Sequence, residues 1–282
     1  MSVAIVTDST SDLDPAVAAG LGIDVVPLFV NFGERRYRDS VDLTHAEFYR
    51  LLASERALPT TSQPTAAMFE DAFRPHVTAG RPIVCLTIMQ RLSGTLNAAQ
   101  AAAAQFPGAE IHLVDSESVT GGLALQCVHA ARLAADGADA ETILAALARD
   151  RSLQRGYATV PDLTHAVRTG RVSRAQALLG SLVKISPVLR IDTGTIGEAA
   201  RVRTFARAQE TMIRSTLATI GSGAGAYIAI LHTQAPAVAR ALRDALAAGV
   251  TGSPAYFELV EAGPVIATHA GPGAVGIFSI PG

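Results

Sequence analysis

Short apolar runs alternate along this chain with longer alanine-rich or amphipathic stretches, and clusters of polar residues separate them. Val3–Thr7, Ile23–Val30, Ile83–Ile88 and Ile111–Val114 are apolar runs rich in β-branched residues, the pattern of buried strands. Pro27 marks an edge or irregularity in the second run. Asp14-Pro15 starts a helix that Gly20 and Gly22 close. Asn31–Arg38 reads as a turn. Thr44 and Glu47 have capping-box spacing for a helix through Leu52. Ala66–Phe73, Leu96–Phe106, Leu123–Ala134 and Ala140–Arg149 read as further helices. Strand and helix alternate through this half, which predicts an open parallel α/β sheet. Ligands of such sheets bind at the carboxyl ends of the strands, where the polar clusters fall.

The pattern changes near Arg155. Gly156–Val160, Val183–Ile191, Tyr227–Leu231 and Ala255–Val260 read as strands. Asp162–Arg168, Arg174–Leu182, Phe205–Ile220 and Ala235–Ala248 read as helices, and Gly194–Ile196 as a turn. Two domains follow, residues 1–154 with the parallel sheet and 155–282 with a mixed or antiparallel sheet.

Two polar stretches stand out. Arg91-Leu92-Ser93-Gly94-Thr95 lies between a strand and a helix, so a hydroxyl, a glycine and unpaired helix N–H groups meet at one point. That suits a carboxylate or phosphate, although a cap for the same helix is the plainer use. Thr60-Thr61-Ser62-Gln63-Pro64-Thr65 is a second helix start, with more hydroxyls than one cap requires. His269 is expected at the end of an apolar strand, just before the turn at Gly271-Pro272-Gly273. Ser93 with His269 would make a hydrolase or acyltransferase pair. No Gly-x-Ser-x-Gly elbow is present, and no acid close in sequence orients His269. The same groups can instead act as donors to an anion.

Composition narrows the chemistry. The 282 residues are 49% hydrophobic with net charge −2, which offers no bulk attraction to nucleic acid. Lys184 is the only lysine, and no phosphate-binding Gly-Lys-Ser/Thr loop occurs. Gly271, Gly273 and Gly276 have dinucleotide-fingerprint spacing but lack the helix and acid that must follow; they are expected to let the backbone turn sharply or approach a ligand. The seven histidines are scattered and the two cysteines, Cys85 and Cys127, lie in apolar runs, so no metal site or cofactor is expected. Asp8, Asp12 and Asp115 at strand ends are of a type that can bind Mg²⁺, but caps and turns are the plainer expectation. The start lacks a signal-peptide pattern, and a cytoplasmic protein is expected.

Six motifs in order resemble the DegV family of bacterial fatty-acid-binding proteins. They are Thr7–Leu13 (TDSTSDL), Thr60–Thr65 (TTSQPT), Leu92–Ala99 (LSGTLNAA), Val114–Gly122 (VDSESVTGG), Gly170–Ser173 (GRVS) and His269–Ile277 (HAGPGAVGI). The resemblance implies a two-domain α/β protein that carries a long-chain fatty acid without catalysing a reaction itself. It implies that Thr61, Ser62, Ser93, Gly94, Thr95 and His269 surround the carboxylate, and that Arg171 and Arg203 contact a partner or the head group. It further implies that the acid is presented to an ATP-dependent kinase subunit that makes acyl phosphate, for use in phospholipid metabolism, with room for transient membrane contact. The loop at Arg168–Ser173 has one glycine fewer than the family pattern.

Overall fold

The computed structural model describes residues 2–55, 57–171 and 185–282. The helix expected at Arg174–Leu182, the start of the strand expected at Val183 and the Val172-Ser173 end of one motif lie outside these residues.

The N-terminal strands β1 (Ala4–Asp8), β2 (Ile23–Val26), β6 (Ile83–Thr87) and β7 (Ile111–Asp115) form a parallel sheet in the order β2-β1-β6-β7. Its helices include α1 (Pro15–Leu21), α3 (Ala66–Thr78), α4 (Thr95–Ala103), α5 (Gly121–Ala135) and α6 (Ala140–Leu153). Asp14 caps α1 through the Ala16 and Val17 N–H groups, with Pro15 in the first turn. The capping box of α2 (His45–Ser54) forms in both directions. Two cores, one on each face of the sheet, bury residues such as Leu123 and Ile143, and Phe69 and Phe73.

Ile23–Val30 is not one strand. Pro27 has no N–H for a ladder, and the run divides between β2 and β3 (Phe29–Phe32), which belong to different sheets. Asn31–Arg38 is likewise not only a turn. β3 and β4 (Arg35–Arg38) pair as a hairpin through Gly33, whose φ is 61°. With β5 (Thr60–Ser62) they make a three-stranded sheet in the order β4-β3-β5.

The second half builds a mixed six-stranded sheet in the order β10-β9-β8-β13-β11-β12. Its strands are β8 (Arg155–Thr159), β9 (Ser186–Asp192), β10 (Thr195–Val202), β11 (Tyr227–His232), β12 (Tyr256–Glu261) and β13 (Val275–Ile280). Only β11 and β12 pair in parallel. The expected turn at Gly194–Ile196 holds at Gly194, while Thr195 and Ile196 begin β10, an edge strand with a bulge between Glu198 and Ala200 and hence no continuous apolar signal. Between β8 and β9 runs the short α7 (Thr164–Arg168). Helices α8 (Phe205–Ile220) and α9 (Pro236–Gly249) cover one face around Met212 and Leu246. Leu189, Ile191, Leu231 and Phe278 project from the other face, toward Ile88 and Val119 of the N-terminal half.

The segment before His269 is a helix, α10 (Pro264–Ala270), and not the expected strand. Pro264 at its first position is already set to helical φ. Val265 and Ala267 pack against Val30 and Phe48 beside the small sheet. Beyond it, Gly271 and Gly273 adopt φ of 74° and 85°, and a Cβ on either would meet His165 or Pro161 at 2.9 and 2.8 Å. The glycines therefore serve the turn, as the spacing argument expects.

Candidate ligand-binding site

A cavity of ≈ 470 Å³ opens where the carboxyl ends of the parallel strands meet the uncovered face of the mixed sheet. Pockets of this size hold small organic ligands. Leu28, Ile88, Val119, Leu189, Ile191 and Phe278 are among the side chains that make its wall mostly apolar.

One part of the wall is different. Thr61, Ser62, Gln63, Ser93, Gly94, Arg171 and His269 all line the cavity. Thr61 and Ser62 reach it from β5, which corrects their expected place at a helix N-terminus: pairing with β3 takes them into a strand, and Thr65 precedes α3 without a side-chain cap. Ser93 and Gly94 do stand at the start of α4. That helix also has no side-chain cap: its N-cap is Gly94, and the neighbouring Ser93 hydroxyl bonds the Thr95 hydroxyl at 2.8 Å. The first N–H groups of α4 are thus not consumed by a serine or threonine. Thr95 is fully buried and lies behind Ser93, off the cavity wall. Nothing in the residue type of Gln63 signals its place in the site. Its side chain lies against Gly94, where a Cβ would collide with Oε1, so the end of β5 and the start of α4 pack in contact.

His269 sits in the last turn of α10, and its Nε2 lies 2.9 Å from Thr61 Oγ1. Nδ1 is buried with no partner among the described residues. Burial first, then the charge of Arg171 and the nearby His165, lowers the imidazole pKa to about 4, so the ring is neutral near pH 7. With the proton on Nε2, the ring donates to Thr61 and leaves the threonine hydroxyl proton free for a ligand.

Other polar groups on the wall are already engaged. Thr120 donates to Asp12. Thr233 donates to Gly271 O and accepts from Ala274 N–H, and His232 Nδ1 accepts from Ala235 N–H. Free polar capacity therefore concentrates at the Thr61–Ser93–His269 end. Ser93 and His269 do not bond one another; each has a threonine partner instead. Arg171 is exposed at the cavity margin and also borders a polar groove with Arg91 and Thr195. Arg203 does not line the cavity. It is exposed in a separate groove with Arg207 and Arg214 of α8.

Carboxylates behind the site, Asp8 buried and Asp115 partly so, complete its frame. Asp8 accepts from Ile88 N–H at 2.8 Å and caps the turn Ser9–Ser11 through Thr10 N–H. Asp115 accepts from Glu117 N–H. These are the caps and turns that the sequence suggests.

The fold and cavity define an α/β protein with a parallel and a mixed sheet and an apolar binding chamber between them. A family profile described as uncharacterised protein, DegV family, matches residues 2–282. The chain belongs to the DegV family. A DegV domain-containing protein of Deinococcus radiodurans is 36% identical over 280 residues, covering 98% of each chain. A structure described as fatty acid binding of a DegV family protein from Thermus thermophilus superposes with a TM-score of 0.93 at 33% identity, covering 100% of both chains. A stearic-acid-binding protein from Eubacterium ventriosum superposes with a TM-score of 0.89 at 26% identity, covering 98% of this chain and 97% of that one. No described helix is long and apolar enough to cross a membrane.

Proposed function

We propose that this chain is a non-catalytic carrier of a long-chain fatty acid. The observation that carries the reading is the cavity: a mostly apolar chamber whose uncommitted polar groups gather around Thr61, Ser93 and His269. The carboxylate is held there by the hydroxyls of Thr61, Ser62 and Ser93 and by the N–H group at Gly94, with His269 orienting Thr61. Bonds of this kind to an ionised acceptor are the stronger sort. The tail lies along the apolar wall, and each buried methylene contributes about 0.8 kcal/mol. Affinity comes from the tail and orientation from the head group. The fatty-acid-binding relatives support the same reading.

Under this reading residues 1–154 and 155–282 are two domains that clasp the ligand between them. Arg171, at the margin, and Arg203, on the exposed groove, face a separate ATP-dependent kinase subunit that converts the carboxylate to an acyl phosphate. A hydrolytic role finds no support in the pairing of Ser93, because His269 is bonded to Thr61 and has cationic or neutral neighbours in place of an orienting carboxylate.

Mass spectrometry of an organic extract of the purified protein tests the carrier reading. A fatty acid in stoichiometric amount is expected. Protein that yields none, and that also fails to bind added palmitate, stearate and oleate, overturns it.

A further inference from the structure

We propose that Asp12 and Asp39 are positioning residues of the head-group site: they fix the first turn of α10 and thereby set His269 at its far end against Thr61. The inference rests on the reading of His269 as part of that site.

α10 has seven residues, fewer than two full turns. A helix this short has no stability of its own, so its place is set by what grips it. Its N-cap, Gly263, has no side chain, and no side-chain cap comes from the helix itself. The grip comes from the opposite end of the sequence. Asp12 Oδ1 accepts from Gly263 N–H at 2.8 Å, and Asp39 Oδ1 accepts from Val265 N–H at 3.2 Å. Two of the N–H groups that a helix start leaves unpaired are satisfied in this way.

Both carboxyls are themselves held. Ser9 donates to Asp39 Oδ2 at 2.7 Å while accepting from Leu28 N–H at 3.0 Å. Thr120 donates to Asp12 Oδ2. Gly263 is what allows both acids to close in. A Cβ at that position would lie 3.2 Å from Asp12 Oδ1 and 3.3 Å from Asp39 Oδ1. The backbone at the acids is also set to an uncommon conformation, with φ of 51° at Asp12 and 58° at Ser40. Such values persist only where the surroundings impose them. From Gly263 the helix runs to His269, where Nε2 meets Thr61 Oγ1. Rotation or translation of the first turn is carried rigidly to the imidazole.

The test uses the whole chain and two readouts. The first is the side-chain ¹⁵N resonance of His269 in ligand-free protein, assigned by its loss in His269→Ala. It is expected to move in Asp39→Asn and Asp12→Asn, to move in the milder Ser9→Ala, and to stay in Asp139→Asn, a change at the N-cap of α6. The second is palmitate affinity in a double-mutant cycle. Asp39→Asn is expected to weaken binding about tenfold when His269 is present and by less than about twofold in His269→Ala. An imidazole resonance unmoved in Asp39→Asn, Asp12→Asn and Ser9→Ala overturns the positioning role, as do fully additive losses in the cycle. Wild-type affinity in His269→Ala overturns the head-group reading of the histidine instead, and the resonance alone then decides the positioning. If the aspartate variants do not fold, Ser9→Ala carries both readouts.

Discussion

His269 Nε2 and Thr61 Oγ1 lie 2.9 Å apart although 208 residues separate them in sequence. The pair joins the C-terminal turn of α10 to the strand β5 and brings two of the six motifs into one site. A neutral imidazole that donates to the hydroxyl leaves the hydroxyl proton directed elsewhere, and the cavity is where a carboxylate would receive it.

Removing the hydroxyls tests this directly. Thr61→Val and Ser93→Ala each delete one donor to a charged acceptor, an interaction worth about 1.5–3 kcal/mol. Palmitate affinity, measured by calorimetry, is expected to fall by roughly tenfold to a hundredfold in each variant, since about 1.4 kcal/mol is a factor of ten. Thermal melting should be little changed, and unaltered affinity in both would remove the carboxylate from this end of the cavity.

The wall should set the length of the tail. Ala158 on β8 lines the cavity. Ala158→Phe fills part of the space a long chain would use, and overpacking a cavity wall costs about 1–3 kcal/mol. Stearate affinity is expected to drop more than that of a shorter acid such as laurate. Equal loss for both chain lengths would place the tail away from β8.

Acidity separates an ordinary histidine from this one. An imidazole with the usual pKa near 6.5 charges between about pH 8 and 6 and would strengthen carboxylate binding in that window. Burial and Arg171 hold His269 near 4, so affinity should not rise across that range, and an NMR titration should find its midpoint well below 6. The depressed pKa also has a stability sign. The unfolded chain binds the proton first, so the contribution of His269 is whole above about pH 6.5 and is lost as pH falls toward 4. His269→Gln should therefore lose less stability on acidification than the parent.

The buried acids act with the opposite sign. Burial raises the Asp8 and Asp39 pKa values to about 6, against which bonds from Thr10, Ile88, Ser9 and Val265 pull downward, while the Asp8 charge adds to the rise at Asp39. The folded state takes up protons first, so each acid's contribution to stability falls as pH rises through about 4 to 6. Relative to Asp39→Asn, the parent should gain stability when the pH is lowered from 8 to 5. Urea denaturation at the two pH values measures the difference, and a gap that does not change with pH would mean Asp39 titrates normally.

The parallel sheet was legible because each strand is a dense apolar run and each helix has a boundary residue, as with Asp14-Pro15 and the Thr44–Glu47 capping box. Two of the antiparallel strands were not. β4 is mostly arginine and β10 is a bulged edge, so neither carries an apolar run to read. α10 reads as a strand in the sequence because seven residues are too few to display helical periodicity, and Val265-Ile266 favours the extended reading. Among the site residues, Ser93 and Gly94 were visible as a strand–helix junction. Thr61 was visible only as one of several hydroxyls, and its meeting with His269 depends on contacts far apart in sequence. Asp12 and Asp39 gave no signal of their link to α10, since a carboxylate that caps a distant helix looks like any aspartate in a turn.

The strand order of the mixed sheet has a consequence for synthesis. β13 follows every other described strand in the chain, yet it lies in the interior of its sheet, between β8 and β11. While a ribosome is still making residues 275–280, β8 and β11 have no neighbour to join them, and Phe278 has not reached the chamber wall. The incomplete chain therefore lacks part of the chamber wall, and under the carrier reading ligand loading is expected only after those residues emerge. Nascent chains stalled before β13 should be open to protease across β8 and β11, and unable to retain a lipid.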